Sequence, residues 1–164
     1  MRQIKSVLFV CLSLLLVEST VIAKPAGQPN PQLPLSAELM GLLRAEMQAL
    51  LGAVQTIPAG IATGDWHQVV ETSAQVGASY ILEQKLTASQ RQELKDKLPA
   101  LFKHMDAAFH AEAKKLEAAA KQHNAQLASF HYYRMLETCS ACHADFASTR
   151  FPGFAQPAGH EHGH

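Results

Sequence analysis

The sequence predicts an all-α protein, an antiparallel four-helix bundle. Three observations predict it. Apolar residues recur at three- and four-residue steps along most of residues 36–150, the period of a helix face. Capping residues and Pro or Gly breaks divide that stretch into segments of helical length. No run alternates apolar and polar residues as a strand does, and no internal repeat occurs. Four amphipathic helices of about 20–25 residues, joined by short loops, bury their apolar faces by packing side by side.

Residues 1–23 have the features of a secretory signal peptide. Arg2 and Lys5 give a positive start, Val7 to Val17 an apolar run, and Val21-Ile22-Ala23 a small-residue cleavage site before Lys24. The alternative, an uncleaved membrane anchor, needs about 20 apolar residues, roughly twice the length of this run. Cys11 lies inside the run and is expected to leave with it. Residues 24–35 hold four prolines, which bar a helix and favour a short extended linker.

The first helix starts at Ser36, an N-cap, and carries Leu39, Leu43, Met47, Leu50 and Val54 before stopping near Pro58-Ala59-Gly60. A second starts at the cap Asp65 and runs through Trp66, Val69, Val70, Val76 and Tyr80 to about Gln84. Thr87-Ala88-Ser89-Gln90 is a capping box for a third. Pro99 splits that one into a short helix and a long one bearing Leu101, Phe102, Met105, Phe109, Leu116 and Ala119. The fourth begins near Asn124 and carries Leu127, Phe130, Met135, Cys139, Cys142 and Phe146. Residues 151–164 have the composition of a flexible tail. His160, His162 and His164 alternate there, which suits weak metal affinity or simply an unstructured end, the reading preferred here.

Cys139-Ser140-Ala141-Cys142-His143 has the C-x-x-C-H spacing of a c-type haem attachment site. Two thiols add across the haem vinyl groups, and the adjacent imidazole ligates iron. On a helix, Cys142 lies about 60° and His143 about 40° from Cys139, so all three face one way. Met135 and Phe146 extend the same stripe. The bundle is therefore expected to enclose one covalently attached haem c. A structural zinc site wants four ligands. A thioredoxin-type redox pair sits at the start of a helix after a strand, whereas this pair falls late in a helical segment.

The charge balance limits partners. The chain has 14 basic and 14 acidic residues. Loss of residues 1–23 removes Arg2, Lys5 and Glu18, which leaves 12 and 13, a net −1. With no basic surplus, neither nucleic acid nor an anionic membrane is an expected partner.

A signal peptide, four helices and a C-x-x-C-H near the end of the last one resemble the class II c-type cytochromes, the cytochrome c-prime group. The resemblance covers roughly residues 36–150. It implies that Cys139 and Cys142 form the thioethers and that His143 is the proximal iron ligand, with Phe146 the aromatic three residues on. Family members usually carry Lys or Arg one residue further, where this chain has Ala147. The nearest basic residue is Arg150, and the segment Phe151-Pro152-Gly153-Phe154 extends beyond the compact members.

The resemblance also implies that the first helix supplies the residue over the open face of the iron. It is apolar in five-coordinate members and methionine in low-spin ones. Met47 stands in the matching register, and a His/Met pair raises the reduction potential. The same methionine is equally suited to ordinary core packing. Met40, Met105 and His104 are lesser candidates. Arg44, three residues before Met47, can pair with a haem propionate or extend to solvent. His67, His110, His123 and His131 show no ligand spacing and are expected at surface or boundary positions. The expected function is single-electron transfer in the periplasm with redox partner proteins, not enzymatic catalysis. The alternatives are a five-coordinate haem that binds small gases such as nitric oxide, and a metal-binding helical protein in which the motif is incidental. The resemblance further implies homodimers through the first two helices.

Overall fold

The computed structural model describes residues 33–79 and 85–154. The expected signal peptide, most of the Pro-rich linker, the Tyr80–Gln84 end of the second helix and the histidine tail lie outside the described residues. Within them every regular element is helical: α1 (Ala37–Thr63), α2 (Trp66–Gly77), α3 (Ala88–Lys97), α4 (Ala100–Lys121), α5 (Ala125–Phe146) and a 3-10 turn at Pro152–Phe154. This all-α set, with no strand among the described residues, fits a helical bundle.

The caps fall where the sequence places them. Ser36 accepts from the Leu39 amide, Asp65 from Gln68, and Asn124 from Leu127. Thr87 and Gln90 close a reciprocal capping box. Leu98 is extended, as the residue before a proline prefers, and α4 begins after Pro99.

Two boundaries differ from expectation. Helix α1 does not stop at Pro58 but continues to Thr63 and ends at Gly64, in the left-handed region at φ 74°. Proline removes the amide that would bond to the Val54 carbonyl four residues back. Here the Tyr132 hydroxyl of α5 donates to that carbonyl at 2.9 Å, so the helix passes through without an orphaned acceptor. Helix α2 ends at Gly77 rather than near Gln84. Ser79 turns left-handed at φ 59° and donates its hydroxyl to the carboxylate of Glu46 at 2.8 Å, a bond buried between α1 and the end of α2.

The core gathers Leu50, Ala53 and Ile57 of α1, Val69 and Val76 of α2, Phe109, Ala113, Leu116 and Ala120 of α4, and Met135 of α5. Burying each large aliphatic side chain contributes about 1.5–3 kcal/mol. Close approach of α1 and α2 is set by Gly60, where a Cβ would lie 2.7 Å from a Val69 methyl. Helix α3 buries nothing and lies on the surface. It is tied to the start of α1 by the Ser36 amide, which donates to Glu93 at 2.7 Å. Phe102, near the start of α4, meets Phe146 at the end of α5 edge-on, with centroids 5.4 Å apart. Trp66, at the start of α2, stacks on His123 after α4.

The buried stripes are rotated slightly from the predicted ones. On α1 the buried residues include Leu43, Glu46, Leu50 and Ala53, so Glu46 and Ala53 take the places expected of Met47 and Val54. On α5 the inward stripe is Ala128, Tyr132, Met135 and Cys139, which leaves Leu127 and Phe130 exposed. The predicted stripe followed the largest apolar residues. The packed one takes small and polar residues that leave room for neighbouring helices.

Candidate functional site

Cys139, Cys142 and His143 occupy the last two turns of α5 and share one face of it, each half-buried. Asn124 starts the helix and Ala147 ends it, its amide bonded to the His143 carbonyl at 2.9 Å. Cys139 packs against the core beside Tyr132 and Met135. The motif is thus carried on a helix anchored by its buried stripe, with both thiols at the boundary of the interior.

The electrostatics of the thiols are distinctive. Burial raises Cys139 to about 11. Burial, then the nearby Cys139, Asp106 and Asp145, raise Cys142 to about 11 as well. Both are neutral thiols at pH 7. A redox-active cysteine pair needs the opposite, a thiol lowered by a helix N-terminus or a cation. These two sit at the C-terminal end, where the helix dipole opposes thiolate.

Burial lowers the pKa of His143, which favours the neutral imidazole that can offer a lone pair. Its ring makes no hydrogen bond among the described residues. It stacks on Phe151 with centroids 4.5 Å apart and planes 20° apart, and Phe154 stands 6.1 Å away. Phe146, three residues after His143 on the same helix, packs edge-on against Phe102 of α4. As a donor set, two neutral thiols and a neutral imidazole on one helix face fit a covalently attached haem.

The other expected ligands fall further out. Met47 is 36% exposed at the rim of α1, and Arg44 is exposed one turn before it. His104 and Met105 line a groove of about 340 Å³ between α4 and α5 with Ala108, Arg134, Glu137, Thr138 and Ala141; neither cysteine lines it. No group of three or more His, Cys, Asp or Glu among the described residues is placed to hold a metal ion, and no helix among them is long and apolar enough to cross a membrane.

The histidines without ligand spacing turn out to hold structural contacts. His131 meets Glu112 at 2.7 Å across α4 and α5. His67 is exposed beside Glu71. His110 sets its Nδ1 at 2.6 Å from the Val76 carbonyl, to which it donates, and its Nε2 at 3.5 Å from Asp106. Burial alone would lower His110, but Asp106, the Val76 carbonyl and the charge of Glu46 together raise it. Sequence reasoning missed this buried polar group, since a glutamate on a core stripe gives no signal until its partners are in place. Compared with family models, curated proteins and solved structures, the chain matches none of them.

Proposed function

We propose that the protein is a periplasmic c-type cytochrome that carries one covalent haem and passes single electrons to partner proteins. The observation that carries this reading is the gathering of Cys139, Cys142 and His143 on one face of the last turns of α5, with both thiols held neutral and the imidazole free of competing hydrogen bonds among the described residues. The group, when bound, supplies a one-electron iron couple. The chain's part would be to fix it through two thioethers at Cys139 and Cys142 and to offer the His143 imidazole, with Tyr132, Met135 and the core packed beside Cys139 to limit water there. An antiparallel order of the helices is part of this proposal. It is supported by the pairing of the start of α4 with the end of α5 through Phe102 and Phe146, and of the start of α2 with the end of α4 through Trp66 and His123.

Met47 is proposed as the sixth ligand. Tyr132 reaches Val54, and His143 lies eleven residues beyond Tyr132, about 16 Å along the helix at 1.5 Å per residue. In an antiparallel pair that level on α1 falls near Leu43, one turn from Met47. A second reading, a five-coordinate iron open to small gases, is favoured by a specific observation: Leu39 and Leu43 are buried near this level while Met47 stays at the rim.

The test is expression of the full chain in cells competent for haem attachment, then mass and optical spectra. One haem added covalently to the chain, lost when both Cys139 and Cys142 are changed to Ala, is the expected result. An unmodified mass would sink the proposal.

A further inference from the structure

We infer that Phe151 is a positioning residue for His143, a flat surface that fixes the plane of the imidazole. The inference rests on the haem reading above. A ligating histidine ordinarily has its ring orientation set by a hydrogen bond from its second nitrogen to a carboxylate, carbonyl or water. Among the described residues His143 has no such protein partner. What it has is a ring in face contact, with centroids 4.5 Å apart and planes 20° apart. Iron ligation uses a lone pair in the plane of the imidazole, at its edge. Stacking uses the face, so the two interactions do not compete.

The phenylalanine is itself held. Its amide and that of Arg150 both donate to the Ala147 carbonyl at 2.9 Å, which wraps the chain back over the end of α5. The Phe154 amide donates to the Phe151 carbonyl at 3.0 Å and closes the 3-10 turn. The Arg150 guanidinium lies over the Phe151 ring, 5.8 Å from its centroid. Phe151 remains 36% exposed and lies outside the buried core cluster, so its ring meets His143 at the edge of the bundle rather than within the core. Phe154 stands farther off and at 53°, so its contribution is the smaller one.

Rotation of the imidazole about its bond to iron changes which iron orbitals it raises, and a ring free to rotate gives a spread of states. The experiment compares ferric electron paramagnetic resonance spectra of the full haem-loaded chain with those of Phe151→Ala, Phe151→Trp and Phe154→Ala, each first checked by mass for covalent haem and by circular dichroism for helix content. Wild type is expected to give a single set of g values with narrow lines. Phe151→Ala should broaden or split it with haem and helicity retained, Phe151→Trp should restore it, and Phe154→Ala should perturb it less. A Phe151→Ala signal that superimposes on wild type, with haem attached, overturns the inference alone. Absence of haem from wild type overturns it together with the reading on which it rests.

Discussion

The hydroxyl of Tyr132 occupies the one carbonyl of α1, that of Val54, which Pro58 leaves without a helical donor. A proline that would normally end a helix is thereby accommodated, and the last helix is fastened to the first two turns before the cysteine motif. The phenol belongs to the same stripe as Cys139, so the link bears directly on the candidate site.

Tyr132→Phe should therefore leave a carbonyl with no donor and cost about 1–3 kcal/mol in chemical denaturation. The coupling to Pro58 is the sharper test. In a Pro58→Ala background the restored amide can serve Val54, and the same Tyr132→Phe change should cost measurably less. Equal costs in the two backgrounds would show that the hydroxyl does something else.

His143→Gly should leave haem attached through the two cysteines but change its optical spectrum, and added imidazole should restore the spectrum. The reason is that, in the proposed cytochrome, the thioether bonds and the iron bond would come from separate side chains. A mutant spectrum the same as wild type would remove His143 from the site.

Met47→Leu discriminates the two proposed coordination states. If the Met47 thioether ligates, the ferric protein shows a near-infrared methionine-to-iron charge-transfer band. The substitution then abolishes the band and opens the reduced protein to carbon monoxide. A wild-type ferric spectrum that is high-spin, with rapid carbon monoxide binding on reduction, would establish the gas-binding reading in its place.

His110 supplies a pH dependence. Its net shift is upward, because Asp106, Val76 and Glu46 outweigh burial. A histidine raised on folding stabilises the fold fully below its unfolded value of 6.5, and that contribution is lost as pH rises through the raised folded value. His110→Gln should cost about 1–3 kcal/mol near pH 6 and less well above neutrality. A cost that stays constant between those conditions would mean that the imidazolium is not the stabilising form.

Much of this was readable in the sequence because it depends on local chemistry. Ser36, Asp65, Thr87 and Asn124 mark helix starts through their own side chains, and C-x-x-C-H declares itself by spacing. What was not readable depends on partners distant in sequence. Pro58 reads as a stop unless Tyr132 is known to reach Val54, 78 residues away. Glu46 reads as a solvated residue unless the Ser79 hydroxyl, 33 residues away, is known to donate to it, and Met47 reads as inward-facing by size and polarity alone. The stack of Phe151 on His143 follows from a turn that the tail composition alone does not suggest.

Trp66 is the only tryptophan of the chain, and it lies flat against His123 with planes 10° apart. An imidazole in face contact quenches an excited indole when it is protonated, so in the haem-free chain the indole emission comes from a single lamp dimmed by a neighbouring shutter. The shutter stands in the turn between α4 and α5, and the lamp at the first residue of α2, just after the turn from α1. Parting of those two turns should brighten the molecule before the helices themselves are lost, so the opening of this corner can be followed with no added dye.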